Sequence, residues 1–439
     1  MDLCSEIGIQ VPRLLLPRAD IDLAKWAVIA CDQFTSQPEY WQEVEEVVGD
    51  APSTLHLILP EIYLGEGDEA ERVATVQANM RAYLADGIFT QHDGMVYVER
   101  EVNHQVRKGL LVCLDLEQYD YHPGSQSLAR ATEATIVERL PARMRIRQGA
   151  ILELPHILVL IDDPDGTAIE PLSLAKSSLR RLYDFDLMLG GGHLAGYLVD
   201  QPVEQDRLLR ALVQLNQVDT LQRKYQTSAG RKPFLYAIGD GNHSLAAAKV
   251  VWEQSKHTAG RFHPARYALV EIVNLHDPTL FFEPIHRLLF TVKVPIQEAL
   301  SAFFHDQVHF TTCGDRDALI EAIAQNADQH QLIGLITASG FHAVEFNKPL
   351  SNLTVGILQA FLDDLLRTGQ AVAVDYVHGE EALCELSRRP ENAGFLLPAL
   401  DKHALFRSVI FDGVLPSKSF SIGKALEKRF YLECRSIQK

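Results

Sequence analysis

The densest group of chemically competent side chains lies in Phe234–Lys249, FLYAIGDGNHSLAAAK, where Asp240, Asn242, His243 and Ser244 fall within five residues between two apolar segments. A short apolar run bounded by Lys232-Pro233 and Gly239 leads into glycines and small polar residues. An alanine-rich segment with Leu245, Ala248, Val251 and Trp252 on one face follows. The pattern predicts a strand, a tight turn and a helix start. Gly239 and Gly241 permit backbone conformations and a close approach that a Cβ would forbid, and the first N–H groups of the helix lack intrahelical partners. Such a turn holds an anion at the positive end of the helix dipole, with Asp240 or Asn242 as cap and His243 and Ser244 as added donors. Asp240 also offers a carboxylate for a metal ion. The bland alternative is a capped helix after a glycine turn, with His243 merely exposed.

An anion site needs cations. Arg143, Arg145 and Arg147 alternate with Met144 and Ile146. In a strand this spacing sends all three guanidinium groups to one face, where their planar forks suit phosphate or carboxylate. Lys418, between two serines in Leu415–Phe420 (LPSKSF), is a second source, and its use requires the C-terminal segment to fold back on the first domain. Carboxylates come from strand ends. Asp32 follows the apolar run AVIAC and is a candidate general base or Mg²⁺ ligand. Asp162, with Asp163, follows Ile157–Ile161 and precedes Pro164, a place for a metal ligand or for a plain Asp-Pro turn. Glu153 with His156, and Glu283 with His286, read as caps or partly buried histidines. Gly190–Gly192 with His193 reads as a hinge. The six cysteines form no C-x-x-C pair and read as reduced, mostly buried side chains, Cys31 included.

The elements that must position these residues divide near residue 290, giving domains over 1–290 and 291–439. The second part alternates regularly: helices over Ile296–Phe304, Asp315–Ala327, Thr354–Arg367 and Glu380–Arg388, and strands over Val308–Thr312, Ile333–Thr337, His342–Phe346, Val372–Val377 and Phe395–Leu397. This alternation predicts a mixed sheet covered by helices. The first part predicts strands at Ala27–Cys31, Leu55–Leu59, Met95–Arg100, Leu110–Asp115, Arg143–Arg147, Ile157–Ile161, Phe234–Ile238 and Tyr267–Ile272. Its helices are predicted at Gln37–Val48, Glu69–Asp86, Ser173–Leu189 and Asp206–Gln222. The class is α/β (mixed α+β).

The chain has 439 residues and a net charge of −17, with 47% hydrophobic and 23% charged residues. An acidic balance of this size argues against affinity built on neutralising a phosphate backbone, so no nucleic-acid partner is expected. No stretch approaches the ~20 apolar residues of a membrane helix, and Met1–Gln10 lacks the organisation of a secretory signal. The expectation is a cytoplasmic protein with a small-molecule substrate and no membrane contact; the sequence admits a homo-oligomer without requiring one.

GDGNHSLAAAK resembles the DGHHR-type loop of the bacterial and archaeal family known as domain of unknown function 1015. Further stretches match one branch of that family: Ile29–Trp41 (IACDQFTSQPEYW), Arg139–His156 (RLPARMRIRQGAILELPH), Ile161–Pro164 (IDDP), Phe282–Arg287 (FEPIHR) and Gly413–Arg429 (GVLPSKSFSIGKALEKR). The loop is in turn similar to the phosphate-binding loop of the ParB and sulfiredoxin superfamily, which includes nucleotide-dependent free-serine kinases. The resemblance implies a ParB/sulfiredoxin-like N-terminal domain with insertions plus a C-terminal α/β domain. It places phosphate binding on Gly239, Asp240, Gly241, Asn242, His243 and Ser244. This chain departs from the pattern, with Asn242 where many relatives have His and Ser244 where they have Arg, so another cation must serve the site.

These observations lead to an expected enzyme that moves a phosphoryl group between ATP or ADP and a small hydroxyl compound such as serine, with Mg²⁺. Asp32 takes the acceptor proton, Asp240 and His243 act at the loop, and Asp240 or Asp162 helps hold Mg²⁺. Arg143, Arg145 and Lys418 neutralise developing charge. A phosphomonoester hydrolase, for example of phosphoserine, and a non-catalytic nucleotide sensor are the alternatives.

Overall fold

Apolar runs bounded by turn residues become strands in the computed structural model, which describes residues 2–65, 67–102, 104–227, 230–305, 307–326, 331–347 and 354–438. The C-terminal end of the predicted helix Asp315–Ala327 lies outside these. The chain forms two units, Met1–Phe281 with Ile422–Lys439, and Phe282–Ser421, where the sequence placed a single boundary near residue 290. The class is mixed α/β. Among the described residues no helix is long and apolar enough to cross a membrane.

The first unit is built on a mixed sheet with the order Arg180–Asp186, His193–Val199, Met95–Val102, Gln105–Asp115, Tyr267–Asn274, Leu158–Ile161, Tyr236–Asp240, Ala129–Ala131 and Tyr119–Asp120. Leu158–Ile161 runs parallel to Tyr267–Asn274 and antiparallel to Tyr236–Asp240, which in turn runs parallel to Ala129–Ala131. Alternate residues of these strands feed two cores. Val112, Leu114, Val159 and Ile238 pack with Leu245, Ala248 and Trp252, whereas Val96, Leu111, Cys113 and Leu269 pack with Trp26, Val28, Trp41 and Phe430. The period of two in strands and the spacing of three to four in the helix Asn242–Ala259 produce this division.

Several predicted elements change type. Leu55–Leu59 is not a strand: Thr54–Leu57 is a 3₁₀ turn, because the Ser53 hydroxyl accepts the Leu55 N–H at 3.2 Å and Thr54 donates to the Trp26 carbonyl at 2.8 Å. The predicted helix Ser173–Leu189 stops early, at Ala175 of Glu170–Ala175. Arg180–Asp186 beyond it is a strand, pairing antiparallel with His193–Val199, and this cross-strand pairing outweighs local helical spacing. Asp206–Gln222 is two helices, Pro202–Leu215 and Val218–Tyr225.

The glycine run before His193 is the turn of that hairpin. It brings the His193 ring between Asp184 at 2.7 Å and Asp186 at 2.8 Å. Hydrogen bonds to Asp186 and then Asp184 raise its pKa above the ordinary 6.5. A raised folded value gives stability that is complete below the unfolded pKa and is lost as pH rises through the folded one. His193→Gln is therefore expected to lower Tm at pH 5.5 and to leave it unchanged at pH 9, as followed by scanning calorimetry. Equal losses at both pH values would refute the charge-based account.

In the second unit the sheet order is Val308–Cys313, Gly340–Phe346, Gln331–Thr337, Ala393–Leu396, Phe282–Phe290 and Ala373–His378, and these neighbours pair antiparallel. The expected mixed sheet is thus antiparallel along this path, since a tight turn joins Gln331–Thr337 to Gly340–Phe346 and leaves no room for a crossover. Thr354–Arg367 buries Ile357, Leu358, Phe361 and Leu365 on the face of Ile333, Leu335 and Phe395. Leu319, Ile323 and Leu383 cover the other face, with Leu288 and Ile336. His286 is a buried neutral ring: its Nδ1 accepts the Leu397 N–H at 3.1 Å, and burial, then Arg287, lower its pKa to about 4. Lys418 adopts φ 57° and its ammonium lies 5.5 Å from the Tyr376 ring centre in the same unit.

Candidate active site

The C-terminal tail does return to the first unit. Phe430–Tyr431 pairs antiparallel with Val28–Ile29, Ile29 opposite Phe430 and Val28 opposite Tyr431, and the Ala30 N–H bonds the Arg429 carbonyl at 2.9 Å. All four side chains of this pair are at most 3% exposed, so burial holds a strand that is only two residues long. Running antiparallel, the two segments carry Asp32 past one end of the pair on one side and Lys428 on the other.

Lys428 places a cation beside the loop. Its Nζ lies 2.9 Å from Asp240 Oδ2, while Asp240 Oδ1 accepts the Gly241 N–H at 2.9 Å. Residues 239–244 are half-buried, so the bend is open to solvent. Gly241 has φ +75°, and a Cβ at Gly239 would meet Ile422 at 2.6 Å and Leu160 at 3.0 Å. Gly239 is therefore needed for packing, and Gly241 for the turn. The helix Asn242–Ala259 has no side-chain cap. Asn242 Nδ2 donates to the Ile238 carbonyl at 3.4 Å and its Oδ1 is buried without a hydrogen bond. His243 Nε2 accepts the Ile136 N–H at 3.1 Å, so this ring nitrogen holds the neighbouring loop rather than donating to an anion.

Arg143, Arg145 and Arg147 do not share a strand face. Leu140–Arg147 is a helix with Pro141 in its first turn, and Leu140 and Met144 pack on Ala246, Ala247 and Val250. Helical spacing places Arg143 and Arg147 together and turns Arg145 away. Arg143 pairs with Glu61 and donates to the Arg139 carbonyl at 3.0 Å. Arg147 pairs with Glu153 at 2.8 Å, and the more exposed Arg145 with Glu69 at 2.5 Å.

His156 connects these parts. Its Nε2 lies 3.0 Å from Ser244 Oγ and its Nδ1 2.9 Å from the Tyr431 hydroxyl, which donates to Cys31 Sγ at 3.1 Å. One tautomer satisfies all three contacts: Nδ1–H donates to the Tyr431 oxygen and Nε2 accepts the Ser244 O–H. Asp32 accepts from Gln33 Nε2 at 2.9 Å. Burial opposes ionisation of Asp32, but His156, the Gln33 hydrogen bond, Lys428 and Arg143 together hold its carboxyl below the usual value. Glu61 is pushed the other way by burial, against the attraction of Arg143. Burial, then Asp32 and Glu61, raise the Cys31 thiol far above its ordinary value, which removes it as a thiolate nucleophile.

Asp162, the alternative to Asp240 as a metal ligand, has protein partners around its carboxylate. Its carboxylate is held by His276 Nε2 at 2.6 Å, Lys224 at 2.5 Å and the Tyr225 hydroxyl. Asp240 stands opposite Leu158, so Asp162 lies beyond the far end of the same short strand, about 13 Å away at 3.3 Å per residue. The two alternatives are therefore separate places on the sheet. Among the described residues no three His, Cys, Asp or Glu side chains converge as a metal centre. Asp163 accepts the Thr167 and Ala168 N–H groups at 2.6 and 2.8 Å, the turn that an Asp-Pro step suggests. Lys418 belongs to the second unit, and the site is drawn from the first.

A family model described as "Protein of unknown function (DUF1015)" matches residues 15–365. Among solved structures, the chain is similar to a free serine kinase in complex with AMP, at TM-score 0.39 and 11% identity, covering 75% of this chain and 91% of that one. A mutant free serine kinase in complex with ADP gives 0.40 and 10%, covering 76% and 93%. A conserved hypothetical protein from Pyrococcus furiosus gives 0.37 and 10%, covering 75% and 95%. No curated protein matches the sequence.

Proposed function

With the chain a member of the DUF1015 family, we propose that it transfers a phosphoryl group from an adenine nucleotide to the hydroxyl of a small compound, in a first unit read as ParB/sulfiredoxin-like. The observation that carries this reading is the gathering of Asp32, Glu61 and His156 with Arg143 and Lys428 beside the uncapped first turn of Asn242–Ala259. Phosphoryl transfer asks for positioned charge more than for covalent chemistry by the protein. The helix turn, Lys428 and Arg143 bind and orient the nucleotide phosphates, each cation exchanging part of its present carboxylate partnership for phosphate oxygens. Asp32, ionised at neutral pH, accepts the proton of the acceptor hydroxyl. Mg²⁺ would be held chiefly by the nucleotide phosphates and water, as this ion commonly is, with Asp240 the carboxylate at the loop. Arg145 has no part in this scheme.

Mixing the protein with ATP, Mg²⁺ and a panel of small alcohols, followed by ³¹P NMR, is expected to give ADP and a phosphomonoester only when an alcohol is present. Calorimetry showing no binding of ATP or ADP would discard the proposal, and binding without turnover would make the site a sensor. The Ser244–His156 contact at 3.0 Å favours a second reading, hydrolysis of a phosphomonoester through a serine activated by imidazole. In that case ATP is dispensable and Ser244→Ala abolishes release of phosphate from phosphoserine.

A further inference from the structure

The candidate active site shares His156, Ser244, Arg143 and Glu61 with a cavity of ≈ 140 Å³. Its lining mixes polar side chains, among them Glu61, Arg143, His156 and Ser244, with a larger apolar share that includes Leu57, Met80, Leu152 and Leu269. Apolar cavities of roughly 150 Å³ admit a molecule the size of benzene. The charged side chains in the lining are already paired, Arg143 with Glu61, Arg147 with Glu153 at 2.8 Å and Glu153 with Arg435 at 2.5 Å. A zwitterion the size of serine would fill little of the apolar share and would leave its polar atoms against leucine and methionine, where they lose water without gaining partners. A compact apolar group would replace empty space with contacts and keep its hydroxyl among the polar side chains.

We propose that the acceptor is an alcohol with an apolar body about the size of a benzene ring or a branched chain of five or six carbons, seated in this cavity with its hydroxyl against His156 and Ser244. The word acceptor rests on the phosphotransfer reading; the seating does not. Adenine is a larger, bicyclic group whose ring nitrogens and amino group need polar partners that leucine and methionine side chains do not offer.

Titration of the full chain with benzyl alcohol and with serine, by calorimetry and without nucleotide, tests the seating. Benzyl alcohol is expected to saturate one site and serine to bind at least ~10-fold more weakly, the tenfold being about 1.4 kcal/mol. Ala150→Leu and, as a second filling variant, Met80→Trp should each weaken benzyl alcohol ~10-fold or more, with circular dichroism showing that the chain is folded. Serine binding as tightly as benzyl alcohol, unchanged affinity in a folded filling variant, or displacement of benzyl alcohol by adenosine would each overturn the assignment. Addition of ATP and Mg²⁺ separates the two claims. Benzyl phosphate in the ³¹P spectrum supports both, while benzyl alcohol binding with no phosphate ester sustains the cavity assignment and sinks the transfer reaction.

Discussion

Asp32→Asn is expected to lower kcat for phosphoryl transfer about 10²–10⁴-fold, the usual contribution of a positioned proton acceptor. Nucleotide affinity should change far less, because Lys428, Arg143 and the first turn of Asn242–Ala259 are untouched. Asn preserves the shape and can still meet Gln33, but it cannot take a proton, so the loss belongs to the chemical step. The pH dependence makes the assignment sharper. Burial is outweighed by His156, Gln33, Lys428 and Arg143, which hold the Asp32 carboxyl below its usual value. Its acid limb in the pH–rate profile should therefore lie below the ordinary carboxylate range, leaving kcat flat through neutrality, and should vanish in the variant. Steady-state kinetics and calorimetry on the same preparations check both points. An acid limb that persists in Asp32→Asn would move the proton acceptor to another group, with His156, whose Nε2 already faces Ser244, the first to test.

The part of this site that local pattern reveals is the part built from consecutive residues. An apolar run, two glycines and an alanine-rich segment specify Tyr236–Asp240 followed by Asn242–Ala259, because strand, turn and helix each have a period or a breaker visible within a few residues. Thr354–Arg367 is legible at its stated bounds for the same reason: its apolar residues recur every three or four positions. Arg143–Arg147 shows the limit. Five alternating residues fit a strand, yet Pro141 in the first turn, the Leu140/Met144 spacing and Gly149 just beyond mark a helix, and those flanking residues carried the correct signal.

The site's other members come from distant segments joined by tertiary pairing, for which a single sequence holds no local sign. Glu61 opens the 3₁₀ turn Glu61–Tyr63, His156 precedes the strand Leu158–Ile161, and Lys428 and Tyr431 flank or form a two-residue strand recognisable only beside Val28–Ile29. The need for a cation was readable from the absence of Arg at position 244, whereas its source was not. Of the basic residues in Gly413–Arg429, it is Lys428 that the pairing delivers to Asp240. Asp162 was correctly placed at a strand end, but the antiparallel register puts it at the opposite end from Asp240, and register is set by long-range packing.

Arg429→Met is expected to cost about 3–5 kcal/mol of stability, the range for removing one partner of a buried ion network. Arg429 bonds Glu271, and Glu433 at 2.5 Å, while its Nε donates to the Pro155 carbonyl at 2.9 Å. The two carboxylate residues are 1% and 0% exposed, and Tyr183 adds a hydrogen bond to Glu433. Burial lowers the pKa of the guanidinium, but Glu433 and Glu271 outweigh it and raise the value above that of an ordinary arginine. Met fills much of the volume but leaves two carboxylates in the core without their cation, and it releases the backbone next to His156. The loss should therefore appear twice, as a lower urea midpoint at neutral pH and as reduced turnover in the fraction that remains folded. Arg145→Met, at the exposed Glu69 pair, is the matched control, with an expected cost below about 1 kcal/mol. Combining Arg429→Met with Glu271→Gln and Glu433→Leu should recover part of the loss, since the penalty lies in stranding the charges rather than in lacking the network. A single-variant cost under 1 kcal/mol would mean that the tail strand is held by apolar burial alone, and that Arg429 neither fixes Pro155 nor orients the imidazole beside it.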